Sequence, residues 1–311
     1  MRYLVSDISG PEISIRFLTP LVRPAETWVT RLSIIICVAI TGGLALLNDY
    51  QNPDTLAKFG LLMSDKIWNG AYWALITSAF VHFDVIHLVA NMYWMWVLGA
   101  RLEQAIGAWR YLIFVLVAAV ISSTCQLAVS DTTGIGMSGV VYAVFGFMWL
   151  TRHQYPRFRE ILHTGNIQLL LAWLMICVII TRLNFLSVGN AAHISGWIFG
   201  MAVAVVFSLR YLLPITAPAL IALVGCSLVP IVWCPWSPAW LSEQAYNAHL
   251  AQRLDEALIW YNKLIELDPQ NAWAFANRGG VLVGLGRLKE ARADYATART
   301  LDPNIIEPPA P

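Results

Sequence analysis

The chain has 311 residues, of which 58% are hydrophobic and 13% are charged, and it contains 14 tryptophans. Soluble domains usually carry about a quarter charged residues, so this composition excludes an ordinary soluble protein and indicates an integral membrane protein. The net charge of +1 gives no support for nucleic-acid binding. The five cysteines are scattered through apolar sequence without Cys-x-x-Cys spacing, which favours core residues over metal ligands or disulfides.

Seven stretches with few or no charges follow one another along the chain. They cover residues 32–47, 86–100, 111–129, 132–151, 161–181, 183–209 and 211–242. A helix needs about 20 apolar residues to cross a bilayer, and the first two stretches are the shortest. We predict an all-α fold: a polytopic membrane helical bundle with seven transmembrane helices, six in residues 32–210 and the seventh in 211–241. Residues 1–31 lack the apolar core of a signal peptide, so we expect the first span to remain in the mature chain.

Lys and Arg residues in the loops set the expected orientation. The N-terminal segment and the loops after spans two, four and six hold Arg2, Arg16, Arg23, Arg31, Arg101, Arg110, Arg152, Arg157, Arg159 and Arg210. The opposite loops hold Lys58, Lys66 and Arg182. The positive-inside rule therefore predicts a cytoplasmic N-terminus, in a plasma or bacterial inner membrane. After seven spans, the C-terminal residues are expected outside the cytoplasm.

Three spans carry polar residues that are costly in lipid and therefore need a reason. Span two has His87 and Asn91, four residues apart and so on one helix face. Span four has Ser138 in a Gly-Met-Ser-Gly motif that begins at Gly136, and span six has His193. All three spans enter from the outer face, and a rise of about 1.5 Å per residue puts these side chains roughly 7 to 17 Å below their entry points. We expect them to meet at one depth.

These residue types suit nucleophilic catalysis. A serine attacks a carbonyl group when a base takes its proton and donors stabilise the oxyanion. His193 is a candidate base, and the start of a helix places backbone N–H groups beside Ser138. His87 and Asn91 are further donors, and Tyr142, one turn after Ser138, is positioned to stack on the His193 ring. Spans four to six contain no Asp or Glu, so the predicted site is a Ser–His dyad.

The dyad requires spans four and six to pack closely. Small residues on the facing sides permit this: Gly139 and Ala143 on span four, and Ala192, Gly196 and Gly200 on span six. The spacing Gly-x-x-x-Gly in span six is typical of close helix contacts in membranes.

The ordered motifs His-x-x-x-Asn, Gly-x-Ser-Gly-x-x-Tyr and Ala-His-x-x-Gly resemble the rhomboid intramembrane serine proteases. The resemblance covers residues 68–209, about half of the chain, and His82 and the turn Leu102-Glu103-x-x-x-Gly107 also match. One departure is Trp73-Ala74, where the family usually has Trp-Arg. In the family, that arginine supports a loop and takes no part in the chemistry.

The resemblance implies a six-helix core with Ser138 as nucleophile and His193 as base. It further implies an oxyanion hole formed by His87, Asn91 and the Ser138 amide, open to water on the outer side. The supporting positions within the motifs are Gly136 and Tyr142. A seventh helix after the core makes this the form with one added C-terminal span.

From residue 242 the sequence changes character and repeats with a period of 34 residues. Arg253, Leu254, Glu256, Ala257, Tyr261, Leu267, Asp268 and Pro269 recur as Arg287, Leu288, Glu290, Ala291, Tyr295, Leu301, Asp302 and Pro303. This pattern resembles the tetratricopeptide repeat, a helix–turn–helix unit. We predict two such repeats in residues 242–303 and a disordered tail in 304–311. Because about three repeats are usually needed for a stable core, the module must lean on its own membrane domain, a second copy or a partner.

Other membrane functions lack their signatures in this sequence. A zinc protease needs His-Glu-x-x-His, an aspartyl protease needs paired Asp residues within spans, and a transporter is expected to show broken helices in related halves. We therefore predict an intramembrane serine endopeptidase that cleaves transmembrane segments near the outer face. The alternative is an inactive rhomboid-like scaffold that binds membrane helices and holds a partner through its repeats.

The expected partners are transmembrane protein substrates, the lipid bilayer, and a protein or second copy bound through the repeats. We expect no nucleic acid, no cofactor and no metal ion. No residue identifies the substrate.

Overall fold

The computed structural model describes residues 27–47, 52–130 and 132–305, and these residues contain helices and no β-strand. The helices are α1 (Trp28–Leu47), α2 (Pro53–Lys58), α3 (Ser64–Trp68), α4 (Ala74–Thr77), α5 (Val85–Trp94), α6 (Ala100–Ile106), α7 (Ala108–Leu127), α8 (Ser138–Thr151), α9 (Pro156–Ile161), α10 (Thr164–Arg182), α11 (Asn190–Ser208), α12 (Leu213–Leu228), α13 (Pro238–Leu250), α14 (Leu254–Leu267), α15 (Ala272–Gly284) and α16 (Leu288–Leu301). The predicted all-α class is confirmed. Residues 1–26 and 306–311 lie outside the described part, so most of the predicted N-terminal segment and C-terminal tail is not covered.

Five helical stretches among the described residues are long and apolar enough to cross a membrane: α1, α7, α10, α11 and Arg210–Ile231, which contains α12. A sixth span results if the bent pair Ala74–Phe80 and Val85–Ile106, which turns by 99°, counts as one. Within that pair a π-helical segment, Met95–Gly99, joins α5 to α6. The remaining predicted span corresponds to α8, which has 14 residues.

Helix α8 forms the centre of the membrane domain. Every residue from Gly139 to Met148 is buried, and α7 and α11 pack on its sides. The predicted span 132–151 is therefore only partly helical, since α8 begins at Ser138. A helix of this length extends roughly 21 Å, less than the bilayer core, but a helix surrounded by protein does not have to match the lipid thickness.

The seventh predicted span, 211–241, also differs from the structure at its end. Helix α12 ends at Leu228, a short 3₁₀ segment follows, and α13 begins at Pro238. Ser237 caps α13, because its side-chain oxygen accepts a hydrogen bond from the Trp240 N–H at 3.2 Å. Proline at the first helical position favours a new helix there. The last residues of the predicted span thus belong to the repeat module.

The repeat module consists of two helix pairs, α13 with α14 and α15 with α16. Ala245, Tyr261 and Leu264 are fully buried in its core. Gly279 allows α15 to approach α16, because an added Cβ would lie 2.6 Å from the Tyr295 ring. The outer side of α16 carries exposed charged residues: Lys289, Glu290, Arg292 and Arg299.

The other end of the module packs on the membrane domain. The Asn69 side-chain amide, just after α3, donates to Glu243 Oε1 at 2.5 Å and accepts from Asn247 at 3.2 Å. The Trp236 indole donates to the Ala128 carbonyl at 2.8 Å, at the end of α7. The sequence leaves three possible supports for the module: its own membrane domain, a second copy and a partner. In the structure the module packs against its own membrane domain.

Candidate active site

Ser138 is the first residue of α8, and the loop before it explains why the helix begins there. Gly136 has φ +88°, a left-handed conformation that favours glycine, and an added Cβ would lie 2.7 Å from the His87 ring. The Gly136 N–H donates to the Ser78 carbonyl at 3.1 Å. The Met137 N–H donates to His82 Nε2 at 3.3 Å. These contacts fix the turn from which Ser138 projects.

His193 lies in the first turn of α11, and its Nε2 is 2.7 Å from Ser138 Oγ. This is a normal hydrogen-bond distance between side chains that are 55 residues apart in sequence. His193 is 5% exposed, whereas Ser138 is partly accessible. The side chains of the predicted Ser–His pair are therefore within hydrogen-bonding distance. The histidine is buried, and the serine is the more accessible of the two.

The close approach of α8 and α11 makes this hydrogen bond possible. An added Cβ on Gly196 would overlap the Gly139 carbonyl oxygen, and one on Gly200 would overlap the carbonyl oxygen of Ala143. The backbones of the two helices are thus in direct contact, as the glycine spacing predicts.

Tyr142 packs against the His193 ring and is itself held by Leu170. The Tyr142 and His193 rings are 5.0 Å apart and inclined by 35°, and the Tyr142 hydroxyl donates to the Leu170 carbonyl at 3.0 Å. His193 Nδ1 has no hydrogen-bond partner among the described protein atoms. In the described part of the chain, no carboxylate therefore orients this ring, and packing against Tyr142 restrains it.

His82 links the Asn91 side chain to the turn before Ser138. The Asn91 side-chain nitrogen lies 3.1 Å from His82 Nε2, and both residues are buried. Because His82 Nε2 accepts from Met137 and Asn91, the ring proton is assigned to Nδ1, which faces the Phe80 carbonyl at 3.3 Å. Through Asn91, His82 thus ties α5 to the turn before Ser138. His82 is fully buried, which fits a structural role for this residue.

His87 lies beside the same turn but uses different contacts. Its ring faces Gly136 and lies 5.0 Å from the His82 ring at an angle of 61°. Its backbone N–H is capped by Asp84, whose carboxylate accepts it at 2.7 Å. The six residues singled out from the sequence therefore form two adjacent groups. Ser138, His193 and Tyr142 form one, and His87, Asn91 and Gly136 form the other.

Sequence reasoning missed Gln126 on α7. Its side-chain oxygen accepts the backbone N–H groups of Ala191 and Ala192 at 3.1 and 3.3 Å. The first backbone N–H groups of a helix have no acceptor within the helix. Gln126 supplies an acceptor for two of them and so caps α11, the helix that carries His193. The residues are far apart in the chain, and no local spacing predicts the contact.

Comparison with known proteins finds two family matches and several relatives. A family model described as "Rhomboid domain" matches residues 69–210, and one described as "TPR repeat" matches residues 249–286. A protein named rhomboid protease GlpG from Yersinia pseudotuberculosis serotype I (strain IP32953) is 31% identical over 173 residues, which cover 56% of this chain and 58% of the relative. The protein of the same name from Yersinia pestis (strain Pestoides F) has the same identity and coverage.

The chain thus spans somewhat more than half the length of the curated relatives it matches. The matched region includes α5, α8 and α11, which carry the polar groups described above. Residues 69–210 are thus similar to the rhomboid domain, and residues 249–286, which follow them, are similar to the tetratricopeptide repeat.

Proposed function

We propose that this chain is an intramembrane serine protease that cleaves transmembrane segments of other proteins with a Ser138–His193 dyad. The observation that carries the proposal is the 2.7 Å distance between Ser138 Oγ and His193 Nε2 inside an apolar helical bundle. The similarity to relatives named rhomboid proteases points to the same chemistry.

In the first half of the reaction, His193 Nε2 takes the proton of Ser138 as Oγ attacks the peptide carbonyl carbon. The carbonyl π electrons move to oxygen and form an oxyanion. When the tetrahedral intermediate collapses, the C–N bond breaks and the His193 imidazolium donates its proton to the leaving nitrogen. The product is an ester on Ser138. A water molecule then repeats the sequence, loses its proton to His193, and releases the carboxylic acid and Ser138.

The oxyanion needs donors that are fixed before the reaction. The Ser138 backbone N–H belongs to the first residue of α8, and helix geometry leaves this group without an intrahelical acceptor. The Asn91 amide nitrogen has two hydrogens, so its bond to His82 leaves one available. His87 beside Gly136 is the third proposed donor.

The proposed substrate is a transmembrane helix cut near its outer end. Ser138 lies at the end of the bundle where α8 begins, and the repeat module contacts the same end through Ala128, close to Gln126, the cap of α11. With a cytoplasmic N-terminus and seven spans, both the site and the module open to the extracytoplasmic side. The module would then bind the juxtamembrane part of a substrate or a regulator and raise its local concentration.

The dyad is tested with purified protein in lipid vesicles and a reporter transmembrane substrate. Ser138→Ala and His193→Ala should each abolish cleavage, and the double variant should be no worse, because the two residues act as one unit. Ser227→Ala on α12, whose hydroxyl donates to the Val224 carbonyl of its own helix at 2.7 Å, is the control and should retain activity. Partial losses that add up in the double variant would contradict the dyad.

The same experiment separates the protease from the alternative scaffold. A serine-reactive fluorophosphonate should label the wild type at Ser138 and should fail to label His193→Ala, which keeps the serine but lacks the base. If wild type and Ser138→Ala bind the reporter equally and neither cleaves it, the scaffold is the correct function.

Protease treatment of spheroplasts tests on which side of the membrane the repeat module lies. The protein carries a C-terminal tag for this experiment. Added protease should remove this tag and leave an N-terminal tag intact. A protected C-terminal tag would place the module in the cytoplasm and contradict its role beside the site.

A further inference from the structure

A basic cavity of about 450 Å³ lies at the end of the membrane domain opposite to Ser138. Ser138 begins α8, and α9, which follows the other end of α8, provides Arg157 and Glu160 to the cavity wall. Helices α1 and α6 provide Arg31 and Arg101. The cavity thus collects three arginines and one carboxylate from three separate helices.

Within the described part of the chain, no ion pair neutralises these arginines. The ion pairs among the described residues involve other side chains, and neither Arg31 nor Arg157 has one. Arg101 donates to the Val97 carbonyl at 2.6 Å, which orients the guanidinium without cancelling its charge. Three close positive charges with one acidic neighbour repel one another, so an anion between them would relieve this repulsion.

A buried carboxylate holds the walls of the cavity in place. Glu103 on α6 is fully buried and accepts the backbone N–H groups of Val29 and Thr30 at 3.0 and 2.9 Å, and the Thr30 hydroxyl at 2.7 Å. It therefore fastens the start of α1 to α6 and keeps Arg31 beside Arg101. Its own charge faces the positive end of the α1 dipole.

We propose that this cavity binds the phosphate group of an anionic phospholipid. Guanidinium groups pair with phosphate through two parallel hydrogen bonds, and basic pockets between transmembrane helices bind anionic head groups. Half-exposed Trp96 lines the same cavity, and Trp28 and Trp109 meet edge to face at 5.6 Å nearby on α1 and α7, as aromatic residues do at head-group level. A zwitterionic head group would bring a cation toward the arginines and bind less well.

The test uses the full chain purified in detergent, with bound lipid measured by native mass spectrometry after addition of phosphatidylglycerol or phosphatidylcholine. The wild type should retain phosphatidylglycerol preferentially. Arg31→Gln with Arg157→Gln should weaken this retention by roughly 30-fold, about fivefold for each arginine removed near a head group. The control removes equal charge from the same end: Arg110→Gln with Arg159→Gln, two exposed arginines that do not line the cavity.

Several outcomes decide the proposal. Equal retention of both lipids by the wild type, or equal losses in the two double variants, would overturn it. If the double variant fails to fold, Arg157→Gln alone, on the exposed short helix α9, should still cost about fivefold.

Inorganic phosphate tests whether the phosphate group in the cavity belongs to a lipid or to a free anion. If phosphate alone raises the melting temperature of the wild type as much as the lipid does, and no lipid is retained, the cavity is a phosphate site for a free anion. If only phosphatidylglycerol stabilises the protein, the ligand is the lipid. Neither result depends on proteolysis, so this site and the proposed dyad can fail independently.

Discussion

Replacing Gly196 by alanine tests whether the backbone contact between α8 and α11 sets the dyad. The new Cβ would overlap the Gly139 carbonyl oxygen and would lie 3.0 Å from both the Gly139 carbonyl carbon and Ser122 Oγ. Two of these three atoms are backbone, so a side-chain rotation cannot relieve the overlap. Carbon–oxygen contacts are normally about 3.3–3.6 Å, and restoring one requires α11 to move away from α8 by roughly 1 Å.

That displacement is large compared with the tolerance of the site. Ser138 Oγ and His193 Nε2 are 2.7 Å apart, and a further ~1 Å exceeds the hydrogen-bond range. A misplacement of this size costs about 100-fold in rate. Overpacking a tight contact also costs about 1–3 kcal/mol of stability, so the variant should remain folded but melt earlier.

Cleavage of the reporter substrate in vesicles measures the first effect, and thermal unfolding in detergent measures the second. Gly225→Ala on α12 is the matched control, because an added Cβ there has no atom within 4 Å. It should leave both properties unchanged. If Gly196→Ala cleaves as fast as this control while folded, direct contact between these helices does not set the dyad, and the reasoning is refuted.

Three further changes probe other contacts. Asn91→Ala should lower turnover by about 10- to 1000-fold without unfolding the protein, since one oxyanion donor is lost, and an unchanged rate would remove it from the site. Gln126→Ala should cost about 0.5–2 kcal/mol of stability, as lost helix caps do, and should slow cleavage, whereas Gln126→Glu, which keeps the acceptor, should restore most of both. Glu243→Ala removes the acceptor of Asn69 and should speed release of the repeat module by added protease, measured on gels. Glu266→Ala, an exposed charge on α14, should not.

Much of the membrane domain could be predicted because lipid restricts what a sequence can contain. Long uncharged runs predict helices, so α1, α7, α10 and α11 were expected close to their observed positions. The fourth run predicts a span over residues 132–151 with Ser138 near the start of its helix, and in the structure the residues before Ser138 form a loop. Composition cannot reveal this, because Gly136 and its neighbours are as apolar as a span. Only the contacts with His82 and Ser78 explain the turn.

The repeat module illustrates a similar limit. The period of 34 residues predicts paired helices, because the same residues recur at the same places in each unit. It does not predict what covers the open end of the array. The hydrogen bonds of Asn69 with Glu243 and Asn247 join surfaces far apart in sequence, and neither surface has a periodic signal.

The sequence by itself determined that the chain is a helical membrane protein, that a serine and a histidine lie on two of its spans, and that glycines on those spans allow close packing. These properties depend on composition and local spacing, which the chain carries in any conformation. Only the tertiary structure decided that Ser138 Oγ and His193 Nε2 lie 2.7 Å apart, and that Gln126 and His82 hold the backbone segments next to them. The physical reason is that a hydrogen bond fails with an error of about 1 Å, and the relative position of two helices at that precision depends on every side chain packed between and around them.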